Sequence, residues 1–480
     1  MIARSLDRPR RNLVLILVAA LVAAFVGAAV WAANQPETQP GVDMSKGKRR
    51  SGLVESSVIN GPAGQPVQVQ AAPAGGWTTQ TRLGFTVGDQ WEPAIAADDL
   101  GHVYVLYAQY LGVPGCPDCL SPTQVLQVSA DRGATWSAPR PLQQPGQRGW
   151  DSQIVVDPVD GRTVWASWIE KDKSDVMVAR SDDFGATWSI TAVDDTNAGL
   201  DKPILAVRGD DIYVAYNHST TIWVSSSHDR GETWTSVKGQ TTGKGKIGWS
   251  LAGGGTVTPN GDALFGWAGY EQNGVAKGPV NLYVSSTRDG GETWQDTRIE
   301  TSGSPPDCSA DSCGWAYLGA QLTLASDDDG VVYGLWNAGP LTPKRAPERI
   351  FFATSTDGGR TWSAKEDVSS APSGVAHAFP AIVAEGSGDV RIAWMDARNA
   401  DGDLWNVYYR SSTDGGETWS AEADISTFVP GFEYIQADGF EFPFGDYYEL
   451  AIDDRGQTQA IFGEGISYDT PGSIWYARGE

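Results

Sequence analysis

An eight-residue phrase of the form Ser/Thr-x-Asp-x-Gly-x-Thr-Trp occurs six times in this 480-residue chain, and nothing else limits its fold as strongly. The copies run Ser129–Trp136, Ser181–Trp188, Ser227–Trp234, Thr287–Trp294, Ser355–Trp362 and Ser412–Trp419. Their aspartates (Asp131, Asp183, Asp229, Asp289, Asp357 and Asp414) can accept backbone N–H groups across a tight turn, and the glycine supplies a positive φ without steric cost. Thr and Trp then restart a strand, where β-branched and aromatic side chains pack well. Each copy reads as a strand–turn–strand corner. From aspartate to aspartate the copies lie 52, 46, 60, 68 and 57 residues apart, the length of a four-stranded propeller blade with variable loops.

A second phrase alternates with the first: an apolar strand, an Asp/Gly turn, and a strand ending in Trp or Tyr. It begins at Pro93, Ile154, Pro203, Gly255, Gln321, Pro380 and Tyr448, giving seven strand pairs against six corners. The last unit stops at Ile474–Arg478, a third strand with no corner after it. Trp77–Leu83 resembles the strands that follow the corners, such as Trp294–Ile299. The N-terminal strand is therefore expected to complete the last blade and remove the open sheet edge. The expectation is an all-β, seven-bladed β-propeller over residues 77–480.

The repeated phrase is the Asp box, and from about Trp77 to the end the chain resembles the sialidase superfamily and the wider class of Asp-box (BNR-repeat) propellers. The resemblance implies that the six box aspartates are structural and lie on the face opposite the active site. Sialidases have six blades, which is the alternative to seven. It also implies, for a sialidase, three arginines clamping a carboxylate bidentately, an Asp acid/base, and a Tyr nucleophile activated by Glu. The first arginine belongs to an Arg-Ile-Pro phrase opening the first blade. The corresponding stretch here is Gln90-Trp91-Glu92-Pro93, with Trp91 in the arginine's place and a carboxylate beside it. Tyr447 and Glu449 stand near where the nucleophile and its base belong. Arg398, Arg148, Arg345 and Arg349 are the loop arginines available, and His377 is a loop histidine.

Strand order sorts the rest by face. In a four-stranded meander the 1–2 and 3–4 turns share a face, so the 2–3 loops and blade crossings, which include the longest insertions, occupy the other. Long loops on a rigid scaffold are where function is usually placed. Residues expected at the axis mouth on that face are Glu92, Asp151, Asp201, Trp249, Gln321, Phe379 and Asp446. Its aromatics, Trp91 and Trp150 among them, divide between ligand stacking and packing between blades. The four carboxylates can be read as ligand-binding groups or as a site for a hard cation such as Ca²⁺, although no metal site is assigned.

Of the charged residues, eight Lys or Arg and three Asp or Glu fall in residues 1–50, leaving 27 against 56 in the remainder. So acidic a body argues against a nucleic-acid partner. Basic residues 1–12 precede an apolar run of 21 residues, Leu13–Ala33. That run reads as a membrane anchor or, with Val30-Trp31-Ala32 as cleavage site, a secretory signal. Residues 34–76 read as a flexible linker. An exported location follows, on the outer face of the membrane or secreted, and Cys116/Cys119 and Cys308/Cys313 are expected to form two local disulfides, with cross-pairing or metal ligation as alternatives. The resulting expectation is a monomeric extracellular propeller that recognises glycans or another ligand on its loop face without sialidase turnover. The alternative is an exo-sialidase-like hydrolase releasing terminal acidic sugars.

Overall fold

The computed structural model describes residues 76–479 apart from 86–87, 145, 197–198, 242–246, 248, 272–278, 304–318, 399–404, 427–446 and 465–471. Seven antiparallel sheets of four strands each account for the described strands, and all seven are simple meanders. Blade 1 is Asp89–Ala97, Val103–Tyr110, Thr123–Ser129 and Arg140–Pro141, and the next five repeat this order from Gly149, Leu200, Trp249, Leu322 and His377. Blade 7 takes Glu449–Ile452, Thr458–Glu464 and Ser473–Gly479 from the C-terminal end and its outermost strand, Thr81–Arg82, from the N-terminal end. Thr81 pairs with Tyr476 and Arg82 with Trp475, and Leu83 N–H donates to the Ile474 carbonyl at 3.0 Å. The ring therefore closes as the sequence predicts, with seven blades rather than six.

The Asp boxes form the turns between third and fourth strands. In the first, Asp131 Oδ1 accepts from Thr135 N–H at 2.7 Å and Oδ2 from the Thr135 hydroxyl at 2.7 Å, while Ser129 Oγ accepts from Gly133 N–H at 2.8 Å. Gly133 sits at φ 75°, a conformation that costs a side chain energy. The box tryptophan reaches sideways: Trp136 meets Tyr476 of blade 7 edge-on at 5.0 Å, and Trp419 meets Phe352 of blade 5 at 5.0 Å. This explains why Trp ends the phrase, since a large ring spans the gap to the preceding blade.

The core lies between blades rather than within them. One cluster joins Ala94, Tyr104 and Leu126 of blade 1 to Ile154 and Trp168 of blade 2, and others repeat this around the ring to Ile95 and Ile461 between blades 1 and 7. Blades 4 and 5 approach closely. A Cβ on Gly253 would stand 2.5 Å from the Leu322 carbonyl oxygen, and one on Gly254 2.6 Å from Thr323 Cα. The membrane-anchor and linker expectations fall on residues outside those described.

Candidate functional site at the propeller axis

Five first strands carry a bulge at the same place, between Trp91 and Ala94, Trp150 and Gln153, Asp201 and Ile204, Ala252 and Gly254, and Ala378 and Ala381. A bulge re-aims the side chain it carries. Glu92, Asp151, Lys202 and Phe379 are the bulged residues, at φ 55°, 59°, 51° and 54°. The axis position in blade 3 therefore belongs to Lys202 and not to Asp201, one residue earlier than the true match. In blade 4 the bulge falls at Gly253, because Trp249 only begins the strand. The signal was in the sequence: Glu92-Pro93, Lys202-Pro203 and Phe379-Pro380 share one phrase, and aligning on its proline selects Lys202.

Lys202 joins the first blades at the axis. Its Nζ lies 3.0 Å from Glu92 Oε1 and 2.7 Å from Asp151 Oδ1, with the three side chains 4 %, 0 % and 0 % exposed. Glu92 Oε2 also accepts from Asp151 N–H at 2.9 Å, so a carboxylate of blade 1 caps the open edge of blade 2. Burial alone would raise the Asp151 carboxyl, but Lys202 and Lys173 outweigh it and hold the group well below the usual range. Asp201 pairs with Lys173 Nζ at 2.5 Å. An ammonium thus stands where a metal ion was considered, and among the described residues no three His, Cys, Asp or Glu are placed to hold a metal.

Tyr447, the blade 7 counterpart of Glu92, turns its ring toward Lys202 Nζ at 5.5 Å and donates its hydroxyl to the Ser152 carbonyl at 2.9 Å. Glu449 faces the next blade. Its Oε2 accepts from Ile95 N–H at 3.1 Å and its Oε1 from Gln153 Nε2 at 2.8 Å, and burial pushes its carboxyl up to about 8. Gln153, which the sequence did not single out, is the residue that fixes it.

Arg398 lies on blade 6, held by Asp396 (Nε to Oδ1, 2.9 Å) and Glu422 and laid over the Tyr408 ring at 3.7 Å. His377 is buried beside it, its Nε2 2.7 Å from Ser369 Oγ, and burial lowers its affinity for a proton. Arg349 is fastened to Asp367 and to the carbonyls of Ser369 and Ala371, and Arg148 pairs with Asp172. Trp91 and Trp150 are buried in the core between blades, each 1 % exposed. Cys116 and Cys119 form a disulfide on the loop face. Asp446, Cys308 and Cys313 lie outside the described residues.

The family model described as a BNR repeat-like domain matches residues 66–263. No curated protein sequence matches the chain. Among solved structures, the Hadza microbial sialidase Hz136 is 15% identical, with 81% of this chain and 65% of that one covered at a TM-score of 0.42. This chain thus spans less than two thirds of that sialidase. An ulvan lyase of polysaccharide lyase family PL25 is 13% identical over 82% of this chain and 95% of its own, at a TM-score of 0.48. The NanB sialidase from Streptococcus pneumoniae is 13% identical over 87% and 71%, at 0.45.

Proposed function

We propose that this chain, a BNR-repeat propeller of the sialidase-like type, is an exported recognition module that binds glycans or another extracellular ligand on its loop face without hydrolysing them. The observation that carries this reading is the engagement of Tyr447, Glu449 and Arg398 in the fold. A nucleophilic tyrosine needs an adjacent base. Tyr447 donates a hydrogen bond from its hydroxyl to the Ser152 carbonyl, while Glu449 accepts from the Ile95 amide and Gln153. With its carboxyl near 8, Glu449 keeps its proton at neutral pH and is no base there. Arg398 answers to two carboxylates of its own blade. At the axis, the carboxylates of Glu92 and Asp151 oppose an acidic sugar rather than clamp it. The basic N-terminus and the apolar run Leu13–Ala33 support export.

Hydrolysis of a fluorogenic sialoside by the full chain, from acidic to neutral pH, tests the reading. We expect no turnover above the blank. Turnover that disappears in Tyr447→Phe would establish the hydrolase instead. Leu341 is an exposed apolar side chain in the loop between Val332–Ala338 and Arg349–Ser355 of blade 5; in a glycan-binding screen, Leu341→Ala and Arg148→Ala on the loop face should weaken capture without moving the melting temperature.

A further inference from the structure

The Asp-box face carries a set of contacts that the proposed recognition of glycans does not use. Cations of one blade donate there to backbone carbonyls in the box of the next. Arg140 of blade 1 reaches the Gly185 and Ala186 carbonyls in the blade 2 box, and Arg180 of blade 2 reaches the Arg230 carbonyl in the blade 3 box at 3.5 Å. Arg288 of blade 4 donates to the Asp357 carbonyl in the blade 5 box, and its Nε pairs with Asp262 Oδ2 at 3.2 Å. Arg478 of blade 7 reaches the Arg132 carbonyl in the blade 1 box. Between blades 3 and 4 a histidine takes the place of the guanidinium.

His228 is the second residue of the blade 3 box, as Arg288 is of the blade 4 box. Ser227 pairs with Ile212 and Thr287 with Ala263, so Asp211 and Asp262, each one residue earlier, are equivalent as well. The imidazole repeats the contacts of the guanidinium. Its Nδ1 lies 2.6 Å from Asp211 Oδ1, and its Nε2 lies 2.8 Å from the Gly290 carbonyl oxygen in the blade 4 box. The fourth box position makes room in both blades. A Cβ on Gly290 would stand 3.1 Å from His228 Nε2, and one on Gly358 would stand 2.7 Å from Arg288 Nη2. Blades 1, 2 and 3 carry Arg132, Phe184 and Arg230 at that position.

Neither of these partners can donate. A carbonyl oxygen and a carboxylate only accept, so both contacts form together only when both ring nitrogens carry protons. A guanidinium meets that condition at every pH, whereas an imidazole with an ordinary pKa of about 6.5 does not. We propose that His228 is a pH-sensitive clasp between the Asp boxes of blades 3 and 4, closed as the imidazolium and released when the ring loses a proton. Burial works against the charge, but the hydrogen bonds to Asp211 and Gly290, with the charges of Asp211 and Asp229, outweigh it and raise the imidazole above its ordinary value. The other ionisable groups about the ring are Tyr213, which meets it edge-on at 5.6 Å, and Asp262, Arg288 and Asp289 around the blade 4 corner. Because the folded value is raised, the contribution of the clasp is complete below about pH 6.5 and is lost as pH rises through the folded value.

Amide hydrogen exchange of the full chain from about pH 5.5 to 8.5, read by mass spectrometry of the box peptides, tests the clasp. The reporters are the Gly291 and Thr293 amides of the blade 4 box, which donate to Thr287 Oγ1 and Asp289 Oδ1 at 2.9 Å each. Their blade 5 counterparts, Gly359 and Thr361, lie in the box that Arg288 holds, and the ratio of the two cancels the intrinsic pH dependence of exchange. We expect the blade 4 box to lose about threefold in protection relative to blade 5 as pH rises, the scale of a half-exposed ion pair. His228→Arg should hold the ratio flat at its acid level, and His228→Gln flat at its alkaline level. A wild-type ratio that does not move with pH overturns the proposal, as does a movement that persists in His228→Gln. Deuterium exchange at the imidazole C2 position gives the midpoint of His228 in the same samples. It should lie above the ordinary 6.5 and fall in Asp211→Asn, and a midpoint at or below 6.5 would equally overturn the clasp.

Discussion

Replacing Lys202 by methionine keeps most of the side-chain volume and removes only the ammonium that Glu92 and Asp151 share. Removing one partner of a buried ion pair costs about 3–5 kcal/mol, because the charge left behind has neither water nor a counter-ion. Two carboxylates share the ammonium here, so the upper part of that range applies. Unfolding entropy of about 2.1 cal/mol/K per residue over roughly 400 ordered residues turns this into a fall in Tm of about 4–6 °C. The pH dependence makes the test specific. Asp151, with its carboxyl held low in the fold, contributes stability that is present above its unfolded value of about 3.9 and is lost as pH falls below it. Without Lys202, burial lifts that carboxyl, and acid then relieves the stranded charge by protonating it. The deficit of Lys202→Met should therefore be large at pH 7.5 and smaller at pH 5. Glu449 and Glu464, both raised to about 8 by burial, titrate in wild type and variant alike, so the difference isolates the axial cluster. Thermal melts of both proteins at the two pH values decide it. A deficit under about 1 °C, or one equal at both pH values, would refute the view that Lys202 joins the blades.

Two further outcomes follow from the scaffold. The carboxyls of Asp183, Asp229, Asp289, Asp357 and Asp414 are held down to about 2 by the hydroxyl and amide of the box threonine. They supply stability that is present above pH about 4 and lost together as pH falls toward 2. Tm should drop steeply over that window and less steeply in Asp229→Asn, and a flat acid limb in the wild type would contradict the role given to the boxes. Gly254→Val places side-chain carbon against Thr323 and should cost about 1–3 kcal/mol or more by overpacking, read as a lower melting temperature. A variant melting with the wild type would show that blades 4 and 5 can part.

The sequence made the scaffold legible because the scaffold is local. A box closes its hydrogen bonds within eight residues, and a strand pair announces itself by its Asp/Gly turn, so blade number and ring closure could be counted. The axis is not local. Glu92 meets Lys202 from two blades away, and Glu449 meets Ile95 across the closure, contacts that no spacing encodes. The misplacement of the blade 3 residue at Asp201 had a simple cause. One bulge residue shifts every later side chain by one, and only the shared proline after Glu92, Lys202 and Phe379 reveals the register. Trp91 and Trp150, which the sequence leaves divided between ligand stacking and packing between blades, lie in the core, since the bulge follows directly after each of them.

The pairing of Thr81–Arg82 with Ser473–Gly479 also sets an order in time. The first strand of the propeller to be made is the last to find a partner, because its neighbour follows it by nearly the whole length of the domain. Closing so long a loop adds little free energy, since that cost rises only logarithmically with length. The burden is one of waiting. Until Ser473–Gly479 arrives, Thr81–Arg82 has no sheet to join, Trp77 has no Gly479 to cover, and the inner face of blade 1 stands open beside an unfinished neighbour. Unpaired edges of that kind anneal with other chains. The ring thus acts as a test of completeness: a product cut short by a few residues at its C-terminal strand loses the seam that joins its two ends, and is marked for aggregation or proteolysis.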